Sequence, residues 1–179
     1  MIALIRHGEP ANGWGGAPDP GLSELGHKQA EAVVGTLSPL NLSSVVTSPM
    51  KRCQETAIPF ARSLNVTPVV NTGVTEIPTP DGLDDRVGWL RNFMAGTWDE
   101  APDLLTDWKD KLIETLEALP DNTAVFSHFV AINAICSHLE NVPDVRVFSP
   151  GHCSVTLLER APTGLVVAQR GSEAATKVL

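Results

Sequence analysis

The sequence predicts an α/β fold, a three-layer α/β/α sandwich with a mostly parallel central sheet. Three observations predict it. Short apolar runs of strand length alternate with amphipathic stretches of helical period, the order of a parallel sheet covered on both faces. The run nearest the N-terminus is apolar throughout, as a strand buried on both faces requires. The chain has 179 residues and neither an internal repeat nor a long low-complexity linker, so one domain over 1–179 is expected.

The elements follow in order. Ile2 to Ile5 reads as the first strand. A Gly- and Pro-rich loop runs from Gly8 to Leu22, and Ser23 is placed to cap a helix over Glu24 to Leu37. Ser44 to Thr47 reads as the second strand. Ser48-Pro49 then opens a helix to about Leu64, with Ser48 as cap and Pro49 at the first helical position, where a missing N–H costs nothing. Val66 to Val70 is a third short strand, and Thr72 to Gly82 a loop. Leu83, Val87, Leu90 and Met94 share one helical face; Leu105, Trp108, Leu112, Thr115 and Leu119 share another, in a helix ended by Pro120. Ala124 to Ser127 is a strand leading to His128 and a helix to about Leu139. Val155 to Leu158 and Leu165 to Ala168 flank Pro162-Thr163-Gly164 as a terminal hairpin.

Composition narrows the function classes. Apolar residues make up 42% and charged residues 19%, the balance of a soluble globular protein. No apolar run reaches the ~18 residues of a membrane span. The opening Met-Ile-Ala-Leu-Ile is too short for an export signal and has no basic stretch before it, so a cytoplasmic location is expected. The net charge of -8 argues against nucleic-acid or membrane partners but not against a small anion held by a few focused arginines. Cys53, Cys136 and Cys153 form no Cys-x-x-Cys pair and are odd in number, which disfavours disulfides. Cys136-x-His138 and His152-Cys153 are only partial ligand sets, so no metal and no cofactor are expected.

Three strand ends carry the candidate chemistry. The first delivers Arg6 and His7, the second leads into the helix bearing Arg52, and the Ala124 to Ser127 strand delivers His128. Ligands of open α/β sheets bind beyond the carboxyl ends of the strands. Two arginines and two histidines arriving there make a small cationic pocket, and guanidinium forks match phosphate oxygens. Other phosphatase chemistries lack their motifs: there is no Cys-x5-Arg loop, no Asp-x-Asp pair, no Gly-x-x-x-x-Gly-Lys-Ser/Thr loop and no Gly-x-Ser-x-Gly elbow.

Arg6-His7-Gly8-Glu9 resembles the signature of the histidine phosphatase superfamily, also called the phosphoglycerate-mutase-like family. Ser48 to Ala57 is similar to its second motif, Leu22 to Gly26 to its helix-opening stretch, Phe126-Ser127-His128 to its late histidine motif, and Cys153-Ser154-Val155 to its last strand. The resemblance runs from Met1 to about Leu158 and implies a phosphoglycerate-mutase-like fold. It implies that His7 attacks phosphorus, that Arg6, Arg52 and His128 bind the phosphoryl oxygens, and that a carboxylic acid protonates the leaving oxygen. Glu76 is the choice for that acid, with Asp81, Asp84 and Asp85 as rivals. Gly8 is expected to let the backbone approach the phosphate, and Glu9 to orient the pocket or complete its loop.

The departures are as informative. Phe129 stands where the family commonly has glycine; its N–H can still serve, while its side chain is expected to narrow the pocket. Pro10 replaces a frequent Ser or Thr, Asn12 is offset by one from a phosphate-contacting Asn, and His152 stands where Asn is usual. Trp14, in the loop after the nucleophile, could stack on a ring. The implied activity is metal-independent hydrolysis of a small phosphorylated metabolite. The alternatives are a mutase-type phosphotransferase, disfavoured by the short chain, and a non-catalytic phospholigand-binding protein on the same fold. The sequence leaves the substrate and the oligomeric state open.

Overall fold

Two apolar sets on opposite faces of one strand organise the molecule. Ile2 and Leu4 enter one core and Ala3 and Ile5 the other, the period-two alternation of a strand buried on both sides. The computed structural model describes residues 1–12 and 19–174. Its elements are β1 (Ile2–Arg6), α1 (Glu24–Leu37), β2 (Ser44–Thr47), α2 (Lys51–Leu64), β3 (Val69–Val70), α3 (Arg86–Met94), α4 (Asp103–Ala118), β4 (Thr123–Ser127), α5 (Phe129–Glu140), β5 (Val155–Ala161) and β6 (Gly164–Gln169). Among the described residues the sheet has six strands in the order β3-β2-β4-β1-β5-β6. β1, β2, β3 and β4 pair in parallel; β5 runs antiparallel to β1, and β6 antiparallel to β5.

Helices cover both faces. Leu90 and Met94 of α3, Leu105, Leu112 and Leu116 of α4, and Ile132 and Ile135 of α5 form the first core with Ile2, Leu4 and Val125. Val33 and Leu37 of α1 and Ala57 and Phe60 of α2 form the second with Ala3, Ile5 and Phe126. Burying each large apolar side chain contributes about 1.5–3 kcal/mol. Trp98 lies in the first core and Trp89 and Trp108 pack against it, while Trp14 lies outside the described residues.

Local rules account for most boundaries. Ser23 caps α1 by accepting the Gly26 N–H at 3.0 Å, an interaction worth about 1 kcal/mol. Three expectations are corrected. The second helix starts at Lys51, not at Pro49, with Met50 at its N-cap. Ser48 instead continues the strand edge, donating its N–H to Phe126 O, and the Oδ1 of distant Asp19 accepts the Lys51 N–H at 2.9 Å. The third strand shrinks to Val69–Val70, because the Val66 N–H closes the end of α2 on Ala61 O and Pro68 has no N–H to pair. Leu83 is exposed and outside α3, which Asp85 caps through the Gly88 N–H at 2.8 Å.

The parallel register sets the site. Arg6 pairs with Ser127 and Thr47 with Phe126, so β1, β4 and β2 end at one level. The residues just beyond, His7, His128 and Ser48, emerge together at the carboxyl edge.

Candidate active site

His7 is buried, and its two nitrogens are held differently. Nδ1 lies 2.8 Å from Gly8 O, which can only accept, so Nδ1 carries the proton. Nε2 therefore keeps its lone pair, and the Arg52 Nε–H donates to it at 3.2 Å. Burial pushes the His7 pKa well below its ordinary value, and the neighbouring His128, Arg52 and Arg6 push the same way. The imidazole is neutral at physiological pH, with its free nitrogen in a cationic corner.

The other predicted residues surround it. The Arg52 Nη2 lies 3.2 Å from His128 Nδ1 and donates to Glu76 Oε2 at 3.4 Å. Both partners accept, and the two N–H groups of one guanidinium nitrogen serve both. His128 Nε2 then donates to Ser48 Oγ at 2.7 Å. Burial lowers the His128 pKa to about 4 despite the opposing charge of Glu76. The His7 and His128 rings meet edge-on with centroids 5.4 Å apart. Arg6 is buried, its pKa lowered to about 10 chiefly by desolvation, and its Nε finds no hydrogen-bond partner among the described residues. A buried guanidinium with an unmatched N–H is a receptor for an anion.

Of the four carboxylates considered as acid, Glu76 is brought to the cluster, 3.4 Å from both Arg52 and His128. Asp85 is committed to capping α3, and Asp81 and Asp84 are exposed on the preceding loop. The side chain of Phe129 corrects its expectation. As the first residue of α5 it turns into the core instead of the pocket, and the Arg6 guanidinium lies 5.1 Å above its ring. By position its backbone N–H has no intrahelical acceptor. Gly8 is also required by its packing against α1. A Cβ there would lie 2.8 Å from Gly26 O, and a Cβ at Gly26 would lie 2.1 Å from Glu9 O. The glycines let the loop after β1 and α1 touch backbone to backbone. Glu9 completes that loop by accepting from Ser23 Oγ at 2.7 Å. Pro10 bridges to Leu22, and Asn12 is exposed. His152 Nε2 lies 3.0 Å from Arg6 Nη2.

Two participants escaped sequence reasoning. Asp19 lies 3.9 Å from Arg52 Nη1, a second carboxylate beside that guanidinium. Its partners lie more than thirty positions away, and a local pattern carries no trace of them. Thr56 Oγ1 accepts the Gly8 N–H at 2.9 Å and donates to Arg52 O at 2.6 Å, tying the loop after β1 to α2. Its place in the second motif was the available signal. Cys53 touches His128 Nε2 at 3.4 Å; burial raises its pKa, so it stays a thiol. Among the described residues no group of three or more His, Cys, Asp and Glu side chains is arranged to hold a metal ion, and no helix is long and apolar enough to cross a membrane.

The family model of the histidine phosphatase superfamily (branch 1) matches residues 2–172. Phosphoserine phosphatase 1 of Hydrogenobacter thermophilus is 35% identical over 114 residues, 62% of this chain and 51% of that protein. An uncharacterised protein of Mycobacterium tuberculosis is 32% identical over 116 residues, 56% of this chain and 57% of that protein. The alignments thus span little more than half the length of these relatives. Among solved structures, phosphoserine phosphatase from Entamoeba histolytica, in complex with 3-phosphoglyceric acid, superposes with a TM-score of 0.75 at 20% identity over 96% of each chain. Mycobacterial glucosyl-3-phosphoglycerate phosphatase superposes with a TM-score of 0.72 at 22% identity, over 97% of this chain and 99% of that one. At these identities the structural likeness is one of fold.

Proposed function

The chain belongs to the histidine phosphatase superfamily, and from that premise we propose that it hydrolyses small phosphomonoesters through a phosphohistidine on His7, without a metal. The observation that carries this reading is the pairing of His7 Nδ1 with Gly8 O, which leaves Nε2 as a neutral, unprotonated nucleophile among cationic groups.

The steps follow from the geometry. The phosphoryl group takes the place now bridged by Arg52, with Arg6, Arg52 and the Phe129 N–H donating to its oxygens; His128, whose one proton on Nε2 is given to Ser48, joins them by taking up a second proton on Nδ1 as the dianion arrives. Nε2 attacks phosphorus and the bond to the leaving oxygen breaks. Glu76, in its protonated form, supplies the proton to that oxygen. The ring becomes cationic as the N–P bond forms, and the Gly8 carbonyl stabilises the Nδ1–H. Water then attacks phosphorus, its proton passes to the Glu76 carboxylate, and His7 and inorganic phosphate are released. The Arg6 Nε–H, without a partner among the described residues, and the Phe129 N–H, without an intrahelical acceptor, are available to the charge that develops, which is where electrostatic catalysis acts. Arg6 and Arg52 supply the positive charge that a metal supplies elsewhere.

The relatives named as phosphatases of phosphoserine and glucosyl-3-phosphoglycerate support a small phosphorylated metabolite as substrate. The test is turnover of an aryl phosphate in chelator, with acid-labile, base-stable labelling of the protein. His7→Ala is expected to abolish both. Full activity in His7→Ala would falsify the nucleophile assignment, and loss of wild-type activity in chelator would end the metal-free reading. Labelling without turnover would favour phosphotransfer to a second metabolite.

A further inference from the structure

One turn grips Arg6 by both its backbone and its side chain. The Arg6 N–H donates to Ser154 O at 3.2 Å, and Arg6 O accepts from the Cys153 N–H at 3.0 Å. Nη1 donates to Pro150 O at 2.8 Å, and Nη2 meets His152 Nε2 at 3.0 Å. The turn holds Cys153 in the left-handed region with φ of 55°, a conformation that costs a β-carbon residue about 1 kcal/mol or more. It is backed from outside by the C-terminal segment, through Gly151 N–H to Ser172 O and Ala174 N–H to Ser149 O, both at 2.8 Å. A strained turn, pinned on two sides and aimed at one arginine, is a built device.

The chemistry of the contact assigns a state to His152. A guanidinium can only donate, so Nε2 must accept, and the ring proton sits on Nδ1. This is the less common tautomer of neutral histidine. An imidazolium here would set two cations in contact. The groups facing His152 are Arg6 and His7 from the end of β1, with ring centroids of the two histidines 5.9 Å apart, and Glu9 from the loop beyond. Burial and Arg6 together outweigh Glu9 and hold the His152 pKa down to about 4.

We propose that His152 is a positioning residue: as a neutral acceptor it holds the Arg6 fork so that the remaining guanidinium N–H groups face the phosphate site. The inference rests on the phosphate-site reading above. Phe129 supports the fork from below, Pro150 O holds one tip, and His152 the other. Glutamine carries an amide oxygen about as far from the backbone as the imidazole Nε2 and can take over as acceptor; alanine cannot.

Two measurements test this on the purified chain. The first is calorimetric binding of sulfate, a fixed-charge mimic of phosphate that requires no turnover. His152→Ala is expected to weaken sulfate about tenfold and to raise KM for an aryl phosphate by a similar factor, with kcat changed less than about threefold, while His152→Gln stays within about threefold of wild type. The second is imidazole nitrogen NMR near pH 6, where the resonance pair lost in His152→Gln should carry the pattern of the neutral Nδ1–H tautomer. Unchanged sulfate affinity in His152→Ala, a Gln variant as weak as Ala, or a charged or Nε2–H ring would each overturn the proposal. Wild type failing to bind sulfate would sink the phosphate site itself, and this inference with it. Sulfate binding that is identical in wild type and His152→Ala would sink this inference alone.

Discussion

Replacing Thr56 by valine changes almost no volume but removes a hydroxyl with two jobs. Thr56 is fully buried, and its Oγ1 accepts the Gly8 N–H and donates to Arg52 O. Arg52 O keeps its place in the helical ladder, so that loss is mild. The Gly8 N–H is left buried without a partner, which costs about 1–3 kcal/mol. For a chain of this size that lowers the melting temperature by roughly 3–10 °C. Thr56→Ser keeps the hydroxyl and loses one methyl group, for about 1 kcal/mol. Because Gly8 O orients the His7 ring, loosening Gly8 should also lower kcat by about tenfold in the valine variant, and much less in the serine variant. Calorimetric unfolding and aryl phosphate turnover at 25 °C read the two effects. A valine variant as stable and active as the serine variant would refute the assignment of Thr56 as the tie between the nucleophile loop and α2.

Two further outcomes are expected. Glu76→Gln should slow esters with poor leaving groups by about 10²–10³, and those with good leaving groups far less, since the latter need little protonation; equal slowing of both would assign Glu76 a structural role. His7, His128 and His152 have folded-state pKa values below the unfolded value near 6.5, so the unfolded chain binds more protons as pH falls through that value. Stability should be flat above about pH 7 and fall as pH drops from about 6.5 toward 4, on the order of 1 kcal/mol per pH unit for each ring fully neutral in the fold. Thermal unfolding across that range checks the sign, and stability rising toward acid would contradict neutral buried histidines.

Much of this was readable in advance because the information was local. The Ser23 cap, the span Glu24–Leu37 and the strand Ser44–Thr47 follow from neighbouring residues and agree with the structure. Motifs place Arg6, His7 and His128 at strand ends and Arg52 in the helix that follows one, and parallel pairing brings those ends level. What failed was non-local. Ser48 looks like a helix cap until His128, eighty positions later, claims its hydroxyl. Asp19 then caps the helix from a loop with no local sign of that task. Phe129 reads as a pocket residue from its neighbour His128, but the direction of α5 turns the ring into the core. The demand that Gly26 on α1 places on Gly8 is equally non-local, eighteen positions along the chain.

The glycine contact between the nucleophile loop and α1 also bears on how the protein can change. At Gly8 and Gly26 the loop meets α1 main chain against main chain, and any substitution at either position adds atoms where there is no room. Variation is thereby steered elsewhere. The loop from Thr79 to Asp85 is exposed and lies outside both cores, and it is free to drift. A lineage built on this scaffold can vary that loop while the backbone contact behind His7 is inherited unaltered.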